Sequence, residues 1–281
     1  MRLSTRDLSH IYLYDTPLET LALDGVTLTL DSRENTAILG QTGSGKSTLI
    51  QHFNGILQPT SGDVFMDGKN INREKIDGLR RKVGLVFQFP EIQLFEETVF
   101  EDIAFGPKNM GWSREKTEAA VMRAVDLFAP ELRSKMDVSP FALSGGEKRK
   151  AALCGVLAMD PVFLCLDEPT AGLDPKAKRD LFSRLKDIHS KGVGLVFITH
   201  DINDAMAFAD RIIIMAHGKV ALDRTRQEMM TEISLLGELG FAPPDIWILS
   251  HYVADLLGEG PFFDEESFLE VLQRRLSLSE E

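Results

Sequence analysis

Eight consecutive residues, Gly40, Gln41, Thr42, Gly43, Ser44, Gly45, Lys46 and Ser47, fit the pattern G-x-x-x-x-G-K-[ST] at every fixed position. Their chemistry is that of holding the phosphates of a nucleotide. Glycines let successive backbone N–H groups curl round phosphate oxygens where a Cβ would clash. Lys46 is placed to reach the β- and γ-phosphates, and the Ser47 hydroxyl to bind Mg²⁺. The apolar run Thr36, Ala37, Ile38, Leu39 before the loop predicts a buried strand. Ser47, Thr48, Leu49 and Ile50 open a helix, whose N-terminus adds partial positive charge. Strand, loop and helix in that order are the context the pattern needs; a flexible Gly/Ser linker would lack it.

A second constellation supports the first. Residues 162–167, Val-Phe-Leu-Cys-Leu-Asp, predict an apolar strand that ends in a carboxylate. Asp167 at that end would hold Mg²⁺, directly or through water, opposite Ser47. Glu168 follows, at the edge where ligands bind in open α/β sheets. It could accept a proton from, or orient, a water attacking the γ-phosphate. Alone, the two acids could simply end a strand before Pro169. With the loop upstream they read as the other wall of a nucleotide site.

These groups need a scaffold, and the hydrophobic pattern supplies one. Apolar runs at 83–87, 162–166, 194–199 and 211–215 predict buried strands, and 61–68 another between turn signals. Helical patterns cover 98–128, 145–159 with Ser144 as N-cap, 175–189 and 202–208, and the loop's own helix ends near Asn54-Gly55. Strands alternating with helices imply a largely parallel sheet covered on both faces. Residues 1–32 read as short strands with turns, Leu23, Val26, Leu28 and Leu30 alternating in part. After about 224 the character changes. Pro243-Pro244 and Gly258-Glu259-Gly260-Pro261 punctuate short amphipathic helices. Ile246, Leu249, Val253 and Leu256 recur at helical spacing, as do Phe268, Val271, Leu272 and Leu276. Such a stripe either packs onto the main domain or contacts another subunit.

Composition bounds the function. The chain has 281 residues, enough for one large or two small domains, with 43% apolar and 26% charged residues. A net charge of −12 argues against a nucleic-acid-binding surface, which needs a basic face. Cys154 and Cys165 both lie in apolar runs, as reduced core residues of a cytosolic protein do, rather than as a disulfide or metal site. No apolar run reaches the roughly 18 residues of a membrane helix, and 151–166 is broken by Asp160-Pro161. Neither a signal peptide nor a spanning segment is expected, so a membrane role would come through a partner.

A third motif narrows the family. Leu143, Ser144, Gly145, Gly146, Glu147, Lys148 and Arg149 closely resemble the L-S-G-G-Q signature of ATP-binding-cassette (ABC) ATPases, a second phosphate cradle at a helix N-terminus. The order of elements is similar throughout about residues 3–225. Gln88 ends a strand, as the Q-loop glutamine does. Ala171, Gly172, Leu173 and Asp174 resemble the D-loop, and His200 the switch histidine. Tyr12 stands where the family stacks an aromatic ring on adenine, with Tyr14 as the alternative. The resemblance implies a P-loop NTPase with a mixed core sheet, an antiparallel β subdomain and a helical subdomain at about 90–160. Residues 1–225 would form the nucleotide-binding domain and 226–281 a C-terminal helical appendage. It implies ATP and Mg²⁺ as ligands. Residues 40–48 and Tyr12 would contact ATP, and Ser47, Gln88 and Asp167 the metal. Glu168, His200 and Gln88 would serve hydrolysis. In this family the signature serine closes over ATP held by a second chain, so a head-to-tail dimer, of like or different chains, is implied. Glu147 departs from the usual glutamine. A carboxylate is unfavourable beside a γ-phosphate, so the side chain is expected to point away.

Residues 86–95, Val-Phe-Gln-Phe-Pro-Glu-Ile-Gln-Leu-Phe, and 98–107 resemble the Q-loop region of energy-coupling-factor (ECF) and cobalt-type importer ATPases, as does the opening from Tyr12 to Leu23. Such ATPases sit peripherally at the cytoplasmic face of the membrane, beneath a coupling protein and a small membrane subunit that binds a vitamin or transition-metal ion. Phe89, Pro90, Ile92, Leu94 and Phe95 would either be ordinary core or wall a groove for the coupling protein's helices. Another ABC transporter ATPase, or a non-transport ABC protein, is the competing reading. The short span from Lys46 to Ser144 excludes a long coiled coil, and the single P-loop excludes a two-cassette chain. The presence of both Glu168 and His200 argues against a purely regulatory module.

Overall fold

The structure, a computed structural model, describes residues 1–72, 78–257 and 265–278. A six-stranded sheet forms its centre. It contains β3 (Asn35–Leu39), β6 (Val83–Val86), β7 (Phe163–Asp167), β8 (Gly194–Thr199), β9 (Arg211–Ala216) and β10 (Lys219–Thr225), in the order β10-β9-β3-β8-β7-β6. The pairings β9-β3, β3-β8, β8-β7 and β7-β6 are parallel, and β10 returns antiparallel at one edge. Strands β3, β6 and β8 are buried along their whole length, which explains their uninterrupted apolar runs. The parallel register brings the carboxyl ends of four strands to one rim: Leu39 pairs with Thr199, and Asp167 with Ile198. Gln88, residues 40–47, Asp167-Glu168 and His200 therefore all leave the sheet on the same side.

A four-stranded antiparallel sheet, β2-β1-β4-β5, lies against this one. Its members are β1 (Arg2–Tyr12), β2 (Thr20–Asp31), β4 (Ser61–Met66) and β5 (Lys69–Asn70). Helix α1 (Lys46–Phe53) is packed between the sheets: Leu49, Ile50 and Phe53 share a core with Leu3, Leu8, Leu23, Val26 and Val64 on one side and Ile38, Val196 and Ile213 on the other. The short strands expected over residues 1–32 are in fact two long ones. Three register shifts between Thr5 and Ile11 interrupt the side-chain alternation, so a continuous strand reads as fragments.

The helical layer is α2 (Leu79–Lys82), α3 (Val99–Asn109), α4 (Arg114–Phe128) and α5 (Gly145–Leu157). The single helical stretch expected from 98 to 128 is two helices. Thr98 caps α3 by accepting from the Glu101 N–H, and Ser113 caps α4 by accepting from Lys116. Between them Gly111 turns the chain at φ +70°. Helices α6 (Pro175–Ser190) and α7 (Ile202–Phe208) cover the sheet. Cys154 and Cys165 are free and buried, and burial raises both thiols, Cys165 to about 12.

Among the described residues, four helices follow the last strand: α8 (Arg226–Thr231), α9 (Ile233–Glu238), α10 (Asp245–Leu257) and α11 (Glu265–Leu278). Met229, Met230, Leu236 and Trp247 join the main core, with Ile246 packed beside them. Leu249, of the same stripe, is exposed. The side chains of Leu256 and Leu276, and the turn at 258–261, lie outside the described residues. Among the described residues no helix is long and apolar enough to cross a membrane.

Candidate nucleotide-binding site

Three glycines shape the loop after β3. Gly43 and Gly45 hold φ of +83° and +99°, where a side chain is strained. A Cβ on Gly45 would run into the Ala22 carbonyl oxygen and the Leu23 side chain; one on Gly40 would strike the Met215 carbonyl and the Ser44 hydroxyl. The loop therefore lies tight against β2 and β9 and its amides can face outward. Gly45 precedes α1 with no side chain capping that helix, so the first amides of α1 have no side-chain partner there. Lys46 is only 7% exposed. Its ammonium donates to the carbonyls of Gly40 (2.8 Å) and Gln41 (2.9 Å). Burial lowers its pKa, while Glu168 and Asp167 pull the other way.

Across the rim stand the two acids. Burial raises the Asp167 pKa, opposed by the hydrogen bond from the Ser47 hydroxyl. Glu168 sits at φ +47°, a strained conformation for a residue with a side chain, and its N–H is held by the Ile198 carbonyl at 3.0 Å. Its carboxylate has two neighbours. Gln88 Nε2 donates to Oε2 at 3.2 Å, and His200 Nδ1 lies 3.2 Å from Oε1. A cleft of about 410 Å³ is lined by Thr42, Gly43, Gly45, Lys46, Ser47, Thr48, Gln88, Asp167, Glu168 and His200. Residues drawn from four separate parts of the sequence thus converge, as the motif reading expects. Gln41 and Ser44 line the loop's other flank, facing residues 214–217 and 238–241, and Gly40 lies against the Met215 carbonyl.

Tyr12 is tied to the same helix. Its hydroxyl meets Thr48 Oγ1 at 3.1 Å, and its ring stands edge-on to His10, which stands edge-on to His52 of α1. Tyr14 projects into solvent with 64% exposure. His10 was missed by the motif reading; its place two residues before Tyr12, on the same face of a strand, was the available signal.

The signature residues do not line the cleft. Ser144, Gly145 and Gly146 are exposed at the start of α5. Here the expectation for Glu147 needs correction. Its carboxylate does not point away but folds back on Ser144, accepting from the backbone N–H at 3.0 Å and from Oγ at 2.9 Å, while Lys135 Nζ reaches its other oxygen at 2.5 Å. The physical reason is a capping box: a glutamate at the third helical position satisfies the N-cap amide. Lys135, chiefly, and the Ser144 donors lower the Glu147 pKa to about 2. Asp174 caps α6, accepting from Lys176 and Ala177 at 2.9 Å each.

Arg149 was also missed. It bonds Glu91 (3.2 Å from Nε) and the Ala171 carbonyl (2.9 Å), so it ties α5 to the segment after Gln88 and to the loop before Asp174. It closes the signature stretch 143–149, but the motif gave it no role of its own. Beside it opens an apolar cleft of about 640 Å³ whose walls include Phe87, Leu94, Phe95, Phe105, Met110 and Val156. Of the five residues expected to line such a groove, Leu94 and Phe95 do. Pro90 is buried, and Phe89 and Ile92 are exposed outside its lining, because the turn Pro90–Gln93 directs them outward. Asp102 lies in this cleft, accepting the Phe95 and Glu96 amides.

Residues 23–171 match the ABC transporter family. The energy-coupling factor transporter ATP-binding protein EcfA2 of Clostridium perfringens is 41% identical, over 95% of this chain and 94% of that protein. EcfA2 of Streptococcus thermophilus is 41% identical over 97% and 99%. Among solved structures, cbiO1 of Clostridium perfringens, part of the ABC transporter complex cbiONQ, superposes with a TM-score of 0.74 at 35% identity, covering 89% of this chain and 98% of that one. The dimeric post-hydrolysis state of the cassette MJ0796, bound to ADP and Pi, gives 0.70 at 29% identity, covering 80% and 98%.

Proposed function

The chain belongs to the ABC transporter family and to its energy-coupling-factor ATPases, and on that premise we propose how its residues divide the work. It is the ATP-binding and hydrolysing subunit of an ECF-type transporter. Lys46 would exchange its two loop carbonyls for β- and γ-phosphate oxygens, a stronger charge-assisted pairing. The amides at the start of α1 would take the remaining phosphate oxygens. Tyr12 would stack on adenine.

A divalent metal suits the residues present. Ser47 and Asp167 bring a hydroxyl and a carboxylate together, hard oxygen donors of the kind Mg²⁺ takes, and Gln88 is the third candidate ligand. When bound, Mg²⁺ would neutralise charge on the β- and γ-phosphates. Glu168 would orient the attacking water and take its proton. Gln88 and His200 hold its carboxylate from either side. This pairing, in the same cleft as Lys46, is the observation that carries the proposal.

The signature residues have no phosphate site of their own chain to serve. They support a head-to-tail dimer in which Ser144, Gly145 and Gly146 close over ATP held by a second, identical or related, chain, with Asp174 at the interface. Closing and reopening would drive membrane partners at the cytoplasmic face. The apolar cleft fits the apolar face of an amphipathic helix, supplied by a membrane coupling protein. A separate membrane subunit would carry the vitamin or transition-metal ion.

The test is affinity purification of this chain from detergent-solubilised native membranes, with ATP hydrolysis measured on the product. The expected result is co-purification of a multi-helix coupling protein and a small substrate-binding membrane protein, with turnover. Recovery of only soluble partners, ribosomes or nucleic acid would overturn the transport reading.

A further inference from the structure

We propose that Glu147, held by Lys135, competes with the partner chain's ATP for the Ser144 hydroxyl, and so sets how much ATP is needed to close the dimer. The proposal rests on reading Ser144 as the signature serine. A serine hydroxyl has one proton to give. Here Ser144 Oγ lies 2.9 Å from Glu147 Oε2, and that same carboxylate oxygen takes the Ser144 N–H at 3.0 Å. The Glu147 N–H returns to Ser144 Oγ at 3.4 Å. Donor and acceptor of the hydroxyl are thus both engaged within the chain. Yet Ser144 is exposed, at the surface a second chain would approach. To donate to a phosphate oxygen the hydroxyl must first leave a carboxylate.

Lys135 makes the contact more than a local cap. It belongs to the turn Pro130–Lys135, and its ammonium sits 2.5 Å from Glu147 Oε1. It neutralises the carboxylate that an incoming phosphate would otherwise meet as a like charge. With the pKa of Glu147 lowered to about 2, mild acidification does not release the serine; a competing acceptor must. Glutamine at 147 could still accept the Ser144 N–H and complete the capping box, but without a charge to hold the hydroxyl. Removing Lys135 does the reverse: the carboxylate holds the serine harder and repels phosphate. Both are positioning effects exerted through Ser144.

The test uses the assembled transporter in detergent, with ATP hydrolysis followed against MgATP concentration. Variants of this chain are Ser144→Ala, Glu147→Gln, Lys135→Met and the double variant of the last two. Ser144→Ala is expected to slow turnover; if it does not, the signature reading falls and the proposal with it. With Ser144→Ala impaired, Glu147→Gln should lower the half-saturating ATP concentration about fivefold, the difference between a charge-assisted and a neutral hydrogen bond. Lys135→Met should raise it about threefold, as a nearby unneutralised charge does. The double variant should match Glu147→Gln, because Lys135 acts through Glu147. The melting temperature of Glu147→Gln should stay at the wild-type value, since the cap persists. An unchanged or higher half-saturating concentration in Glu147→Gln, or a double variant as impaired as Lys135→Met, overturns the proposal while leaving the signature reading intact.

Discussion

Helices α1 and α5 begin with the same device, a serine- and glycine-rich turn at a helix N-terminus, and fill it in opposite ways. The end of α1 has glycine at its N-cap and no capping side chain. The end of α5 carries a complete capping box. A helix end without a side-chain cap keeps all its first amides for a ligand; the capping box of α5 already occupies the Ser144 and Glu147 amides and the Ser144 hydroxyl. The first half-site is also assembled by one chain, from the rims of four strands. Ser144, Gly145 and Gly146 stand exposed, away from that cleft. On the proposed reading, the difference separates a site that holds nucleotide from a surface that is recruited to it.

The comparison breaks most readily at Glu168. Glu168→Gln is expected to slow hydrolysis by about 10²–10⁴-fold while leaving ATP binding in place, and closed dimers should accumulate. Turnover near wild type in a phosphate-release assay would remove Glu168 as the base. Lys46→Ala comes next. Loss of a buried cation facing phosphate should weaken ATP binding by about 100-fold or more, measured by calorimetry on the isolated chain. Retained affinity would sink the first half-site. Ser144→Ala sharpens the contrast in the other direction: single-chain ATP affinity should not move, while ATP-driven dimer formation in the Glu168→Gln background weakens about tenfold, read by sedimentation. A change in single-chain affinity would put both half-sites in one chain.

Acid separates the two regions as well. Burial raises the Asp167 pKa, and Mg²⁺ needs the ionised carboxylate. Proton and metal compete, so the Mg²⁺ concentration for half-maximal hydrolysis should rise as pH falls, by at most about tenfold per unit below that pKa. Glu147, near 2, stays charged over the same range. A Mg²⁺ requirement that stays flat as the pH is lowered through the carboxylate range would argue against Asp167 as the ligand. The smallest effect is expected at Tyr12. Tyr12→Ala should weaken ATP binding about fivefold and Tyr12→Phe little, because stacking uses the ring; the same loss in Tyr14→Ala would move the adenine platform.

The first region was legible because it is local. Residues 40–47 carry their own spacing, and the strands feeding Asp167, His200 and Gln88 are apolar enough to read singly. That they share a rim follows from parallel pairing alone. The second region was legible as a motif but not as a contact. That Glu147 turns back follows from helix capping, which its spacing from Ser144 could have announced. That Lys135 meets it depends on how a turn twelve residues upstream packs. Arg149, bonded to Glu91 and Ala171, was hidden for the same reason, since its partners lie 58 and 22 residues away. The bulged β1 shows the converse: regular structure became unreadable when its alternation was broken.

The two cysteines have a practical consequence. Both are buried, Cys154 directing its thiol to the Ala124 carbonyl and Cys165 lying inside β7. Burial of this kind leaves almost no thiolate at neutral pH and no path for an electrophile. To a maleimide the folded chain is therefore blank. A cysteine installed on an exposed residue beside either helix end would be the one position to take a spin label or fluorophore, with no native residue replaced first. Distances across the proposed pair could then be measured with and without ATP.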